Sequence, residues 1–156
     1  MQIKLSNKDQ EIFVLQLDQN NYIKFCPERG GVITNWISDG KEILYFDEKR
    51  FMDKTKSIRG GIPILFPICG NLNTSNSVFG KDYLQLTQHG FARDLQWQFS
   101  INHNEQSLCL FLNESEKTKK YYPFDFEIKI EVTLKINCLE FQITVSNKTD
   151  TVMPIN

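Results

Sequence analysis

Apolar and polar residues alternate with a period of two wherever this chain shows a regular pattern. Between residues 126 and 136, Phe126, Ile128, Ile130, Val132, Leu134 and Ile136 alternate with Glu127, Lys129, Glu131, Thr133 and Lys135. Successive side chains of a strand point to opposite faces, so this run predicts a half-buried strand with one wet face. After Asn137 and Cys138 the alternation resumes, with Leu139, Phe141, Ile143 and Val145 set against Glu140, Gln142, Thr144 and Ser146. Together the two runs predict a long antiparallel hairpin. A second hairpin is predicted from residues 32–37 and 42–46, which flank Asp39-Gly40, a dipeptide suited to the positive φ values of a tight turn. Shorter strands are expected at 11–17, 22–26, 97–101 and 107–112.

No window carries the 3.6-residue periodicity of a three-turn helix, and twelve phenylalanines alongside many Ile and Val residues favour pleated surfaces. Residues 47–57, 71–87 and 114–122 are polar, charged or turn-like and read as connections. No repeat, low-complexity tract or linker divides the chain, so residues 1–156 are expected to form one all-β domain. Its architecture is predicted to be an antiparallel β-sandwich with ligand-bearing loops over one face.

Composition narrows the partners. Eighteen basic against nineteen acidic residues leave a formal charge of −1, which offers no broad basic field to nucleic acid or to an anionic membrane. Cys26, Cys69, Cys109 and Cys138 are widely separated, with neither CxxC nor metal-ligand spacing, and read as reduced thiols of a cytoplasmic protein. Neither a signal sequence nor a bilayer-length apolar run is visible. A small ligand fits this balance better than a polyanion.

Candidate chemistry concentrates in two segments, SIRGGIPILFPICG at residues 57–70 and QHGFAR at 88–93. Arg59 precedes Gly60-Gly61 and Pro63, a combination that brings backbone close to a ligand while holding its shape. A planar guanidinium there suits a phosphate or a sugar hydroxyl; an arginine that staples its loop to a carboxylate is an equally good reading of the residue in isolation. His89 is one of two histidines and stands between Gln88 and Gly90, where an uncharged imidazole can donate to a ring oxygen or hydroxyl. Gln88 offers an amide that both donates and accepts, as sugar hydroxyls demand. Arg93 follows four residues after His89, so one turn can deliver both. The other histidine, His103, lies in a polar stretch and reads as a solvated turn residue, as do the lysines around Lys119. Trp36 and Trp97 fall on apolar or alternating runs and are assigned to the core. HExxH, GxSxG, GxGxxG and paired-histidine metal patterns are all absent from the sequence.

With these residues in order, the chain resembles the aldose 1-epimerase (galactose mutarotase-like) superfamily, and within it the hexose-6-phosphate 1-epimerase branch. The resemblance runs through ERGGVITNW at 28–36, then the RGG-P-FP segment, QHG-AR and the long hairpin. It implies a large antiparallel supersandwich, of which this chain is the N-terminal portion, and interconversion of the α and β anomers of a hexose or hexose 6-phosphate without a cofactor. It implies further that Arg59, Gln88 and Arg93 contact the sugar phosphate and that His89 belongs to the catalytic pocket. In such proteins a second histidine follows an Asn…Met-Pro segment and a glutamate comes much later. Here Asn147, Met153 and Pro154 are followed only by Ile155 and Asn156. The proton-transfer pair is therefore expected to be missing from this chain, and unpaired sheet edges are expected to drive self-association or pairing with a complementary polypeptide. A non-catalytic carbohydrate or sugar-phosphate binding module, retaining the recognition groups alone, is the alternative from a different class. A plain structural β domain with stapling arginines is the third.

Overall fold

The computed structural model describes residues 5–7, 10–72 and 86–156, with side chains from residue 10 onward. Among the described residues, nine strands form two antiparallel sheets. The first is a meander of β1 (Leu5–Asn7), β2 (Gln10–Asp18), β3 (Asn21–Cys26), β4 (Val32–Ser38) and β5 (Lys41–Glu42). The second is a meander of β6 (Gln98–Asn102), β7 (Ser107–Asn113), β8 (Phe126–Lys135) and β9 (Cys138–Asn147). Two short helices, α1 (Glu48–Met52) and α2 (Glu116–Lys119), sit in the connections. The α2 turn is started by a capping box in which the Ser115 and Thr118 side chains each satisfy the other's backbone N–H.

One apolar core joins the sheets: Leu15, Ile23, Phe25 and Ile33 from the first pack with Leu108, Leu110, Ile128, Ile130 and Val132 from the second. Phe99 of β6 closes against Phe13 and Phe25, with ring centroids 4.5 and 5.4 Å apart. Trp97 is buried as expected, while Trp36 is only half-buried against the same cluster. The Ser38 hydroxyl donates to Asn137 Oδ1 at 2.7 Å and ties the end of β4 to the β8–β9 turn.

The predicted hairpin at 126–145 is present and slightly longer at its far end, with Asn137 taking the positive φ of the turn. Residues 42–46 do not form the predicted strand; only Lys41–Glu42 pairs with β4. The reason lies in Glu42, whose carboxylate accepts from the Trp36 N–H at 3.1 Å and the Leu44 N–H at 3.2 Å. A side-chain acceptor thus takes the place of a ladder carbonyl, and the chain turns away. Residues 73–85, the larger part of the predicted polar connection, lie outside the described residues. Among the described residues no helix is long and apolar enough to cross a membrane.

β9 departs from the burial that its alternation predicts. In the β8–β9 ladder Ile130 stands opposite Ile143 and Val132 opposite Phe141, so both strands present their apolar residues to the same side. Yet Ile130 is 2% exposed and Ile143 is 62% exposed. β9 is the edge strand of its sheet among the described residues; its Leu139 and Val145 pack against the core, while Phe141 and Ile143 are exposed. The pair allows a matched test. Ile130→Ala is expected to lower the unfolding free energy by roughly 2–5 kcal/mol, and Ile143→Ala by less than about 1 kcal/mol, in urea titrations. Equal losses would mean that the β9 face is covered in solution.

Candidate functional site

The segment that follows α1 is laid against the first sheet through its backbone. Ile33 and Ile62 exchange hydrogen bonds at 2.9 and 3.4 Å, Gly61 N–H donates to Tyr45 O at 2.8 Å, and Asp47 N–H donates to Arg59 O at 3.0 Å. Gly60 and Gly61 have φ of +81° and +67°, and a Cβ on them would stand 2.1 Å from Tyr45 O and 2.5 Å from Ile33 O. No other residue type permits that approach. Arg59 is consequently carried on a braced backbone.

Two other arginines secure the stretch that leads into it. Arg50 Nε donates to Ser57 O at 2.9 Å, and Arg29 Nη2 donates to Asp53 O and Lys56 O while its guanidinium lies 4.8 Å from the Phe51 ring centroid. Hydrogen bonds from Thr55, then Lys56, hold the Asp53 carboxyl down at about 2, so it is an anion throughout the neutral range. Arg59 itself is exposed, and its guanidinium makes no hydrogen bond or ion pair among the described residues. The stapling role that Arg59 alone leaves open falls to Arg29 and Arg50, which pattern reading within a charged stretch did not single out.

The second segment is fixed by a reciprocal lock. His89 N–H donates to Gly70 O at 2.8 Å, and Gly70 N–H donates to His89 Nδ1 at 2.9 Å. The lock holds His89 at a φ of +68°, a region that non-glycine residues seldom occupy. It also assigns the tautomer. Because Nδ1 uses its lone pair on Gly70, the neutral ring carries its proton on Nε2 and presents an N–H donor there. Gly70 closes the first motif, yet nothing in that motif signals its pairing with His89. Beyond the histidine, Phe91 and Ala92 both donate to Phe66 O, at 2.9 and 3.2 Å, and a Cβ on Gly90 would stand 2.1 Å from that oxygen. A single 3₁₀ turn at Ala92–Asp94 then delivers Arg93.

Gln88, His89 and Arg93 are thus brought to one turn, while Arg59 sits on the neighbouring ladder without touching them among the described residues. Arg93 Nη2 donates to Gln88 O at 2.9 Å, its Nε stands 3.6 Å from Asp94 Oδ2, and its side chain is 17% exposed. Part of this guanidinium is spent on its own turn. The Gln88 amide is exposed and has no partner among the described residues. The described end of the chain runs beside this turn: Asn156 N–H donates to Pro67 O at 2.9 Å, Cys69 N–H donates to Asn156 O at 2.8 Å, and the Tyr122 hydroxyl donates to Pro154 O at 2.8 Å.

The chemistry available here is donation. An imidazole N–H, an amide and two guanidinium groups suit hydroxyl and anionic oxygens. The described cysteines are unpaired, and desolvation pushes the Cys26 thiol up to about 11, which makes it a poor nucleophile. No group of three or more His, Cys, Asp or Glu side chains able to hold a metal gathers among the described residues. Two surface hollows of about 340 and 240 Å³, one over β8 and β9 and one beside Leu95 and Phe111, are not lined by the four candidate residues.

The family profile described as Aldose 1-epimerase matches residues 14–156. A Cenchrus ciliaris protein named "Putative glucose-6-phosphate 1-epimerase" is 34% identical over 116 residues, covering 67% of this chain and 31% of its own. An Escherichia coli (strain K12) protein of the same name is 30% identical over 104 residues, covering 64% of this chain and 32% of its own. The solved Slr1438 protein from Synechocystis sp. PCC 6803 superposes with a TM-score of 0.80 at 37% identity, covering 99% of this chain and 51% of its own. A galactose mutarotase-like protein from Lactobacillus casei shares the fold, with a TM-score of 0.69 at 24% identity over 99% of this chain and 47% of its own. The matches therefore span about a third of the curated relatives and about half of the solved chains. The architecture is the galactose mutarotase-like antiparallel sandwich, and the chain belongs to the aldose 1-epimerase family.

Proposed function

We propose that this chain supplies the recognition half of a hexose-6-phosphate 1-epimerase site. His89 Nε2–H donates to a ring or hydroxyl oxygen, the Gln88 amide serves a neighbouring hydroxyl, and Arg59 and Arg93 take the phosphate. The observation that carries the reading is the Gly70–His89 lock, which engages Nδ1 and leaves Nε2–H to donate on the turn that also carries Gln88 and Arg93.

An aldose changes anomer when a base removes the proton of the anomeric hydroxyl and the C1–O5 bond breaks. The O–H electron pair forms the carbonyl, and the C1–O5 pair passes to the ring oxygen, which takes a proton from an acid. Rotation about C1–C2 and reversal give the other anomer. His89 is poorly suited to either transfer: Nε2 carries the proton, so it has no lone pair to accept one. Protonating Nδ1 would set a second N–H against that of Gly70. In this proposal His89 binds and polarises, and the acid and base come from polypeptide beyond these residues. The same four groups also serve a sugar-phosphate binding module, the reading favoured if no such polypeptide joins them. No cofactor enters either scheme.

Titration calorimetry is expected to show glucose 6-phosphate binding more tightly than glucose, and Arg59→Ala weakening only the former, by roughly tenfold or more. Equal affinity for the two sugars would remove the phosphate from the reading. Two-dimensional exchange NMR of glucose 6-phosphate with this chain alone is expected to stay at the spontaneous rate. Faster exchange would place the acid and base within these residues.

The open apolar face of β9 fits the same scheme. The Synechocystis protein has about as much chain again as the half matched here, and β9 presents both a free strand edge and exposed Phe141 and Ile143. We propose that polypeptide equivalent to that other half covers β9, in preference to a second copy of this chain. The unmatched half of the Synechocystis protein, added as a separate polypeptide, is expected to form a one-to-one complex by light scattering, and Ile143→Lys to abolish it. A homodimer in its place, or a monomer that ignores the added half, would overturn this.

A further inference from the structure

Tyr45 is the second most exposed large hydrophobic side chain among the described residues, at 73%, and its backbone is hydrogen-bonded to the glycine-bearing segment that carries Arg59. A lone exposed tyrosine needs no explanation. This one differs in its setting. Its Cδ1 lies 2.9 Å from where a Gly60 Cβ would be, so the ring rests on the glycine that follows Arg59. The backbone is tied on both sides, by Gly61 N–H to Tyr45 O at 2.8 Å and by Asp47 N–H to Arg59 O at 3.0 Å, and Phe46 pairs with Gly60 between them. Phe46 packs inward on Phe51, with centroids 5.0 Å apart. Side chains alternate along an extended segment, so Tyr45 is turned outward. Neither the Tyr45 hydroxyl nor the Arg59 guanidinium has a partner among the described residues, and no cation–π contact joins the two.

We infer that Tyr45 and Arg59 form a subsite for a phosphorylated hexose, in which the apolar C–H face of the sugar ring lies on the Tyr45 ring and an anionic oxygen is held by Arg59. The Tyr45 ring lies against Gly60, the residue that follows Arg59, so the bridged backbone sets how the two side chains are spaced. The aromatic wall discriminates a sugar phosphate from bare phosphate, which Arg59 alone cannot do. A ring held on a fixed backbone loses little freedom on binding, which favours stacking over a flexible arm. This inference rests on the sugar-phosphate reading above and names a residue that reading does not contain.

The test compares the full chain with Tyr45→Ala, Tyr45→Phe and Arg59→Ala, titrated with glucose 6-phosphate and with inorganic phosphate. Tyr45→Ala is expected to weaken glucose 6-phosphate by roughly three- to tenfold and to leave phosphate unchanged. Tyr45→Phe keeps the ring and should stay within about twofold, and Arg59→Ala should weaken both ligands. Saturation transfer to the sugar C–H protons should fall in Tyr45→Ala and persist in Tyr45→Phe. If Tyr45→Ala binds glucose 6-phosphate like the parent, the subsite is wrong and the sugar-phosphate reading survives. If it loses both ligands alike, Tyr45 only supports the Arg59 turn and the subsite is wrong. If the parent chain binds no glucose 6-phosphate at all, both fall together.

Discussion

Close approach of backbone to backbone, without side chains between, is the constraint on which the site depends. Residues 59–66 run from a bridge with Phe46, past a bridge with Ile33, to a bridge with Gly90. At Gly60, Gly61 and Gly90 a single added carbon would fall within 2.5 Å of a carbonyl oxygen. Lengthening those contacts would break hydrogen bonds of 2.8–2.9 Å that satisfy otherwise buried backbone groups. The first loop therefore takes its position from the first sheet, and the second loop takes its position from the first loop. Arg59 and His89 are thus held by a scaffold whose core spans both sheets, which is how loop residues acquire fixed geometry.

Charge is divided in a way that keeps the site groups free. Arg50 and Arg59 lie within ten residues of Asp53, Arg29 reaches the same loop from the β3–β4 connection, and Arg29 and Arg50 are committed to main-chain carbonyls. The third, Arg59, is exposed, and no carboxylate pairs with it among the described residues. Arg93 is the intermediate case: one nitrogen closes its own turn on Gln88 O, and the Nε is buried without a hydrogen bond. A guanidinium held this way is preorganised but has fewer N–H groups to offer. Of the two, Arg59 has more donors available to an anion and Arg93 the more fixed position.

The sandwich was legible because period-two alternation survives wherever one face is buried. In β8 every predicted inward residue from Phe126 to Leu134 is buried. The same logic failed at 42–46, where a glutamate side chain replaced a ladder carbonyl, an event with no periodicity to betray it. It failed differently in β9, whose pattern was right and whose burial was not, since alternation records which side is apolar and not what lies opposite. The candidate residues were visible as residue types among glycines. Their chemistry was not: the tautomer of His89 depends on the amide of Gly70, nineteen positions away. Nor does any pattern show that the loop beside Arg59 is stapled by Arg29 and Arg50 instead.

Recognition and proton transfer ask different things of a side chain, and the described site groups can be sorted by that difference. A donor serves a sugar hydroxyl equally before and after ring opening, whereas transfer needs a lone pair or an acidic proton that changes hands within hydrogen-bond reach. The described site groups are donors, and the one imidazole among them has its lone pair engaged. The backbone bonds of Asn156 to Pro67 and Cys69 place the end of this sequence one residue from Gly70, on the side of the His89 lock. A group that exchanges a proton with a sugar bound at such a donor must itself lie within hydrogen-bond reach of that sugar, so recognition geometry limits where transfer can occur.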